Sequence, residues 1–180
     1  GNAVLTVTAQ DPDTDETLQS QFTFTMVSGT PALPASVSLS RTGRNVYSAE
    51  SGGNTVDQLE TYVYDATSNF VPDPGTGSSA YNNVRLEIVG GAQGGERLRA
   101  VSAQGQTVSG GTISVRTFHG IAGAAFEAGS RLGALQIKAT ADRADNNVDN
   151  GISDPVSALT SITVGDGRLF DLDITTPTSE

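Results

Sequence analysis

An alternating apolar strand that runs into an aspartate-rich loop and returns as a second alternating strand occurs twice in this chain, at Ala3–Val27 and at Ser130–Val164. Leu5, Val7 and Ala9 in the first copy match Leu135, Ile137 and Ala139 in the second. Apolar side chains at every other position share one face of a strand, so each copy presents one face to a core. Val7 falls on Ile137, 130 residues later, whereas Val27 falls on Val164 or Gly165, 137 or 138 residues later, so the later copy has the longer loop. The next stretch also recurs: Ala35–Leu39 resembles Phe170–Ile174, each a short alternating strand after a glycine-containing connector. A repeat of this kind is organisational. It predicts a two-strand end of a preceding repeat over 1–30, a complete domain over 34–165, and the first strand of a following repeat with a tail over 168–180.

Helix signals are nearly absent, because 21 Gly, 7 Pro and frequent Thr, Ser and Val interrupt every window long enough for an amphipathic helix. Strands are predicted instead at Ser36–Ser40, Asn45–Ala49, Val56–Tyr64, Val84–Gly90, Glu96–Ser102, Thr112–Phe118, Gly133–Ala139, Val156–Val164 and Arg168–Thr175. Clusters of Gly, Pro, Asn and Asp separate them, which is the punctuation of an antiparallel sandwich. Alternation assigns the faces: Leu59, Thr61 and Val63 share one, as do Val84, Leu86 and Ile88, and Ile113 with Val115. The stretch 70–83, FVPDPGTGSSAYNN, is a surface loop longer than a hairpin turn.

The net charge of −10 argues against nucleic acid and anionic membranes as unassisted partners. With no cysteine there is neither a disulfide framework nor thiolate chemistry. No apolar run approaches the roughly 20 residues that a membrane-spanning helix needs.

Two stretches carry a family resemblance: 63–72, VYDATSNFVP, and 117–139, TFHGIAGAAFEAGSRLGALQIKA. They resemble the bacterial immunoglobulin-like domains found in tandem in invasin- and intimin-type surface proteins. Thr117, Gly120, Ala122, Phe126, Gly129, Gly133, Leu135, Ile137 and Ala139 follow that pattern in order, and the match covers about 56–164; Ser68 stands where the family has Gly. The resemblance implies an all-β, immunoglobulin-like antiparallel β-sandwich, with flanking strands that belong to adjacent repeats. It also implies a spacer or adhesive stalk outside the cell, with no catalytic residues to transfer.

The residues themselves offer little chemistry. His119, the lone histidine, has no nucleophile in a recognisable elbow beside it and reads as a loop residue. The glycines of GGAQGG, 90–95, are followed by no Lys-Ser/Thr and read as a flexible hairpin, not a phosphate cradle. Tyr62, Tyr64 and Tyr81 read as packing residues in preference to a sugar-stacking set. Asp11, Asp13 and Asp15 in the first loop, and Asp142, Asp145, Asn147 and Asp149 in the second, place oxygens at near-alternate positions. Calcium takes about six to eight such ligands. Neither loop is an EF-hand, since Phe22 and Val156 stand where the closing glutamate belongs. The same residues are turn formers, so a solvated hairpin loop is the preferred reading and calcium the alternative; no other cofactor is expected.

Phe22, Phe24 and Met26 on the opening strands need a cover, and Phe170, Leu172 and Ile174 on the last strand need a sheet. They are expected to meet, in cis when repeats are fused and between molecules when they are not. The function expected is therefore a non-enzymatic structural and adhesive module of a bacterial extracellular surface protein, located outside the cell or at its surface. Its partners would be neighbouring copies and a host or surface receptor or glycan, with no nucleic acid and no membrane insertion. One alternative is a self-assembling filament subunit joined by strand complementation. A carbohydrate-binding module is the third reading, for which the sequence offers no clear aromatic platform.

Overall fold

Alternation makes the strands, and their inward faces make the core. A computed structural model describes residues 2–25 and 32–167, and the chain divides into two compact units, Gly1–Pro31 and Ala32–Glu180. The described residues form twelve strands and a single 3-10 turn at Gly77–Ser79. None of their helical segments is long and apolar enough to cross a membrane.

The first unit is one antiparallel hairpin of β1 (Asn2–Gln10) and β2 (Thr17–Thr25). Its ladder pairs Ala3 with Phe24, Leu5 with Phe22, Val7 with Ser20 and Ala9 with Leu18, so these side chains share a face. Val7, Leu5, Phe22, Phe24 and Leu18 are 49–62% exposed. Two strands alone are marginal in water.

The second unit is a sandwich of two five-stranded sheets. One has the order β3 (Ser36–Arg41), β5 (Val56–Tyr64), β10 (Ile121–Glu127), β7 (Arg97–Val101), β8 (Thr107–Gly110). The other runs β4 (Val46–Tyr47), β12 (Pro155–Gly165), β11 (Gly133–Asp142), β6 (Val84–Gly90), β9 (Thr112–Val115). Every pairing is antiparallel except the short parallel contact of β4 with β12. The all-β antiparallel sandwich expected from the strand pattern is what the described residues of this second unit form. Leu59, Val63, Leu98, Ala122 and Phe126 from the first sheet, and Val84, Leu86, Leu135, Ile137 and Ile162 from the second, are all buried in one cluster. On β5 the predicted inward set, Leu59, Thr61 and Val63, is buried, which turns Gln58, Glu60, Tyr62 and Tyr64 outward.

Three strands differ most from expectation. β10 is absent from the predicted set because its outward residues, Ile121, Gly123 and Ala125, are as apolar as its inward ones, Ala122, Ala124 and Phe126, so no alternation shows. β8, also absent from the predicted set, ends at Gly110 and is separated from β9 by Gly111 alone, and β9 ends at Val115, short of the predicted Phe118. The predicted strand Arg168–Thr175, with Phe170, Leu172 and Ile174, lies outside the described residues, as does Met26.

Candidate functional site

The longer acidic loop, 143–154, is built inward. Asp142 is 1% exposed, and its carboxylate accepts the backbone N–H groups of Ala144 (3.0 Å), Ser153 (2.8 Å) and Asp154 (2.9 Å), together with the Ser153 hydroxyl. Asp149 accepts the backbone and side-chain N–H groups of Asn82 at 2.8 and 3.1 Å. The Asn82 side-chain Oδ1 in turn accepts the Ala103 N–H at 2.8 Å. Buried Asn83 donates to Thr117 and Asn146 and accepts the Thr117 N–H at 2.8 Å. Asp145 accepts from Asn147 and Asn150, and the Asn147 side chain accepts the Asp149 N–H.

The candidate calcium oxygens therefore meet N–H donors at each of these atoms. In the hairpin, Asp11 accepts the N–H groups of Asp13 and Thr14, and Asp15 accepts from Gln10. Among the described residues no three acidic or histidine side chains gather as a group that could hold a metal. The arrangement fastens loops across one end of the sandwich.

Burial pushes the Asp142 carboxyl upward, but the three backbone N–H groups and the Ser153 hydroxyl outweigh it and hold the acid below the ordinary value of 3.8. A carboxylate depressed in the folded state adds stability that is fully present above its unfolded value and is lost as pH falls through the folded one. Asp142→Asn is expected to lower the unfolding free energy by roughly 2–4 kcal/mol at neutral pH, since hydrogen bonds to a charged group contribute about 1.5–3 kcal/mol each. Urea unfolding near pH 7 and near pH 3 checks this. The gap between wild type and variant should shrink at the lower pH, and an equal gap at both would refute the assignment.

The outer face of the first sheet presents a different surface. Because β5 turns Gln58, Glu60, Tyr62 and Tyr64 outward, one line of side chains runs from polar to aromatic. The Tyr62 and Tyr64 rings lie 6.4 Å apart at 8° to one another. Phe70 joins them, 5.2 Å from Tyr64 at 19° and 6.4 Å from Tyr62 at 22°. The turn after β5 delivers it: the Asp65 carboxylate accepts the N–H groups of Thr67 and Asn69, Ser68 takes φ +63°, and Tyr64 bridges to Phe70. A left-handed residue is what this turn requires, which is why glycine would suit position 68.

Phe70 is 47% exposed and rests on the backbone of Gly120, where a Cβ would stand 2.3 Å from the ring. The turn beneath is held by Asp73, whose carboxylate accepts the N–H groups of His119 and Gly120. Burial pushes the Asp73 carboxyl up, and those two N–H groups with the Thr117 hydroxyl outweigh it and hold it below the ordinary value. His119 stands with its ring edge-on to Phe118, 4.2 Å between centroids.

Beside the aromatic row, and continuous with it through β5, lies an open trough of about 610 Å³. Gly123 and Ala125 of β10 line it together with Gln58, Glu60, Arg99 and Val101. Glu60 also accepts the Tyr62 hydroxyl, and this hydrogen bond holds the phenol above its ordinary value. Glu127 pairs with Arg97 and Arg99 at 2.6 and 2.9 Å. The sequence reads Tyr62 and Tyr64 as packing residues, and their rings pack together on the outer face; Phe70 and Glu60 went unnoticed, because Phe70 arrives through a turn and Glu60 reads as an ordinary solvated charge. Comparison with protein-family models gives no match, and comparison with curated proteins gives none either.

Proposed function

We propose that the chain is a non-enzymatic structural and adhesive immunoglobulin-like module of a bacterial extracellular surface protein, one unit in a series of sandwiches. The observation that carries this is the correspondence of two hairpins. In β1–β2, Leu5 faces Phe22 and Val7 faces Ser20; in β11–β12, Leu135 faces Ile162 and Ile137 faces Thr160. Leu135, Ile137 and Ile162 are buried because β6 and β4 flank their hairpin and a second sheet covers it. A hairpin of the same pattern calls for the same neighbours. On this reading β1–β2 closes a sandwich of its own, and linked sandwiches hold an adhesive surface away from the envelope.

The same exposed face supports a second reading, an extracellular filament subunit in which another copy of the chain supplies the cover by strand complementation. Amide hydrogen exchange over β1 and β2 separates the two. Placing residues 32–132, a sandwich without its final hairpin, ahead of residue 1 should protect these amides if modules stand in series. Protection that grows with the concentration of the single chain would favour the filament. Fast exchange in both experiments would overturn both readings.

A further inference from the structure

We propose that the outer face of the β3-β5-β10-β7-β8 sheet binds neutral glycans, with Tyr62, Tyr64 and Phe70 stacking on pyranose rings and Gln58, Glu60 and Arg99 taking hydroxyl groups along the trough. This goes beyond a spacer role and stands or falls without it. Ten aromatic side chains, six Phe and four Tyr, serve the whole chain, and there is no Trp. A fold short of aromatics gains most by burying them. Here three are gathered on the outer face of a sheet, Phe70 about half exposed and Tyr62 and Tyr64 partly so, stacked beside one another with their planes within 22°. The C–H faces of a pyranose are apolar and its rim is hydroxylated, so it needs flat rings beside mixed donors and acceptors. The trough supplies these: Glu60 accepts, Arg99 donates and Gln58 does both.

The floor is open for a ring. Gly123 lacks a side chain, and a Cβ built there meets nothing within 4 Å. The surface is also held in place before any ligand arrives, which lowers the ordering cost of binding. Glu60 ties the Tyr62 hydroxyl, Phe70 sits on Gly120, and Asp73 fastens the turn below.

Charge and topology select the ligand class. Carboxylates and guanidinium groups balance across this face, in the Arg97–Glu127 and Arg99–Glu127 pairs and Glu60, within a chain of net charge −10, so polyanions are disfavoured. β5 is hydrogen-bonded to β3 on one side and β10 on the other, so a peptide cannot add to it as a strand.

The test is affinity gel electrophoresis of the full chain in hydroxyethyl cellulose, xylan, mannan, galactan and soluble starch, with heparin and poly-L-proline run alongside. At least one neutral polysaccharide should retard the protein. Tyr64→Ala and Phe70→Ala should each weaken retention roughly 5- to 10-fold, the range expected for one lost stacking contact. Gly123→Leu should abolish it by filling the trough while leaving the melting curve unchanged or raised, since leucine suits a strand better than glycine. Because Gly123→Leu puts its side chain into open space, it separates lost binding from lost folding. No retention by any neutral polysaccharide, or retention indifferent to Gly123→Leu, would overturn the proposal. Retention by poly-L-proline alone would reassign the surface to proline-rich peptides, and retention by heparin alone to polyanions; either result also overturns it.

Discussion

Replacing Phe126 with alanine is expected to lower the unfolding free energy of the sandwich by about 3–5 kcal/mol, the range for truncating a buried aromatic. Among the described residues Phe126 is the largest side chain that is fully buried, at 0% exposure. On β10 it stands between Leu98 of β7 and Asp57 of β5, at the middle of the first sheet, in the cluster shared with the second. Truncation removes the transfer gain of the ring and leaves a cavity that a two-sheet core closes poorly, because both walls are tied by ladders. For a unit of this size each kcal/mol moves the melting temperature by about 2–4 °C, so a fall of roughly 6–20 °C should appear in a thermal scan. Phe126→Leu keeps most of the volume and should cost less than about 1.5 kcal/mol. A loss below about 1 kcal/mol for the alanine variant would mean that the core relaxes around the gap.

That the chain is all-β and sandwiched was legible because the strongest strands bury one face and wet the other: β5 and β6 begin and end where the alternation of Val56–Tyr64 and Val84–Gly90 places them. β10 was not legible for the opposite reason. Its outward Gly123 and Ala125 leave the trough floor open and also erase the polar half of the pattern, so the feature that makes the surface usable hides the strand. The end of the sandwich was legible only as turns. Asn82 and Asn83 are turn formers by residue type, but Asn82 is tied to Asp149 and Asn83 to Thr117 and Asn146, 67, 34 and 63 residues away. Pairings at such separations leave no trace in local spacing. Likewise the acidic loop shows its oxygens in the sequence, while the N–H donors they accept are set by how the loop folds back onto Asp142.

Arg41→Ala is expected to cost about 3–5 kcal/mol, because it leaves a buried carboxylate without its cation. Asp57 is 0% exposed. One oxygen accepts the Thr42 hydroxyl and the Gln58 N–H (3.0 Å), and the other lies 3.2 Å from the Arg41 Nε. The guanidinium does more than balance charge. From β3 in one sheet its Nη1 donates to the Ser161 carbonyl of β12 in the other at 3.1 Å, and Nη2 donates to the Arg44 carbonyl at 3.4 Å. Lysine, with a single ammonium, cannot reproduce that fork, so Arg41→Lys should recover only part of the loss. Removing both charges together is a different change: Arg41→Met with Asp57→Leu deletes the desolvation penalty along with the attraction and should be far milder than the sum of the single variants. Urea unfolding of the four proteins in a double-mutant cycle measures the coupling, and it should persist in high salt because a buried pair is little screened. Additive single effects, or a coupling that salt abolishes, would mean that the pair acts as a surface ion pair and that the sheets are joined at this edge by packing alone.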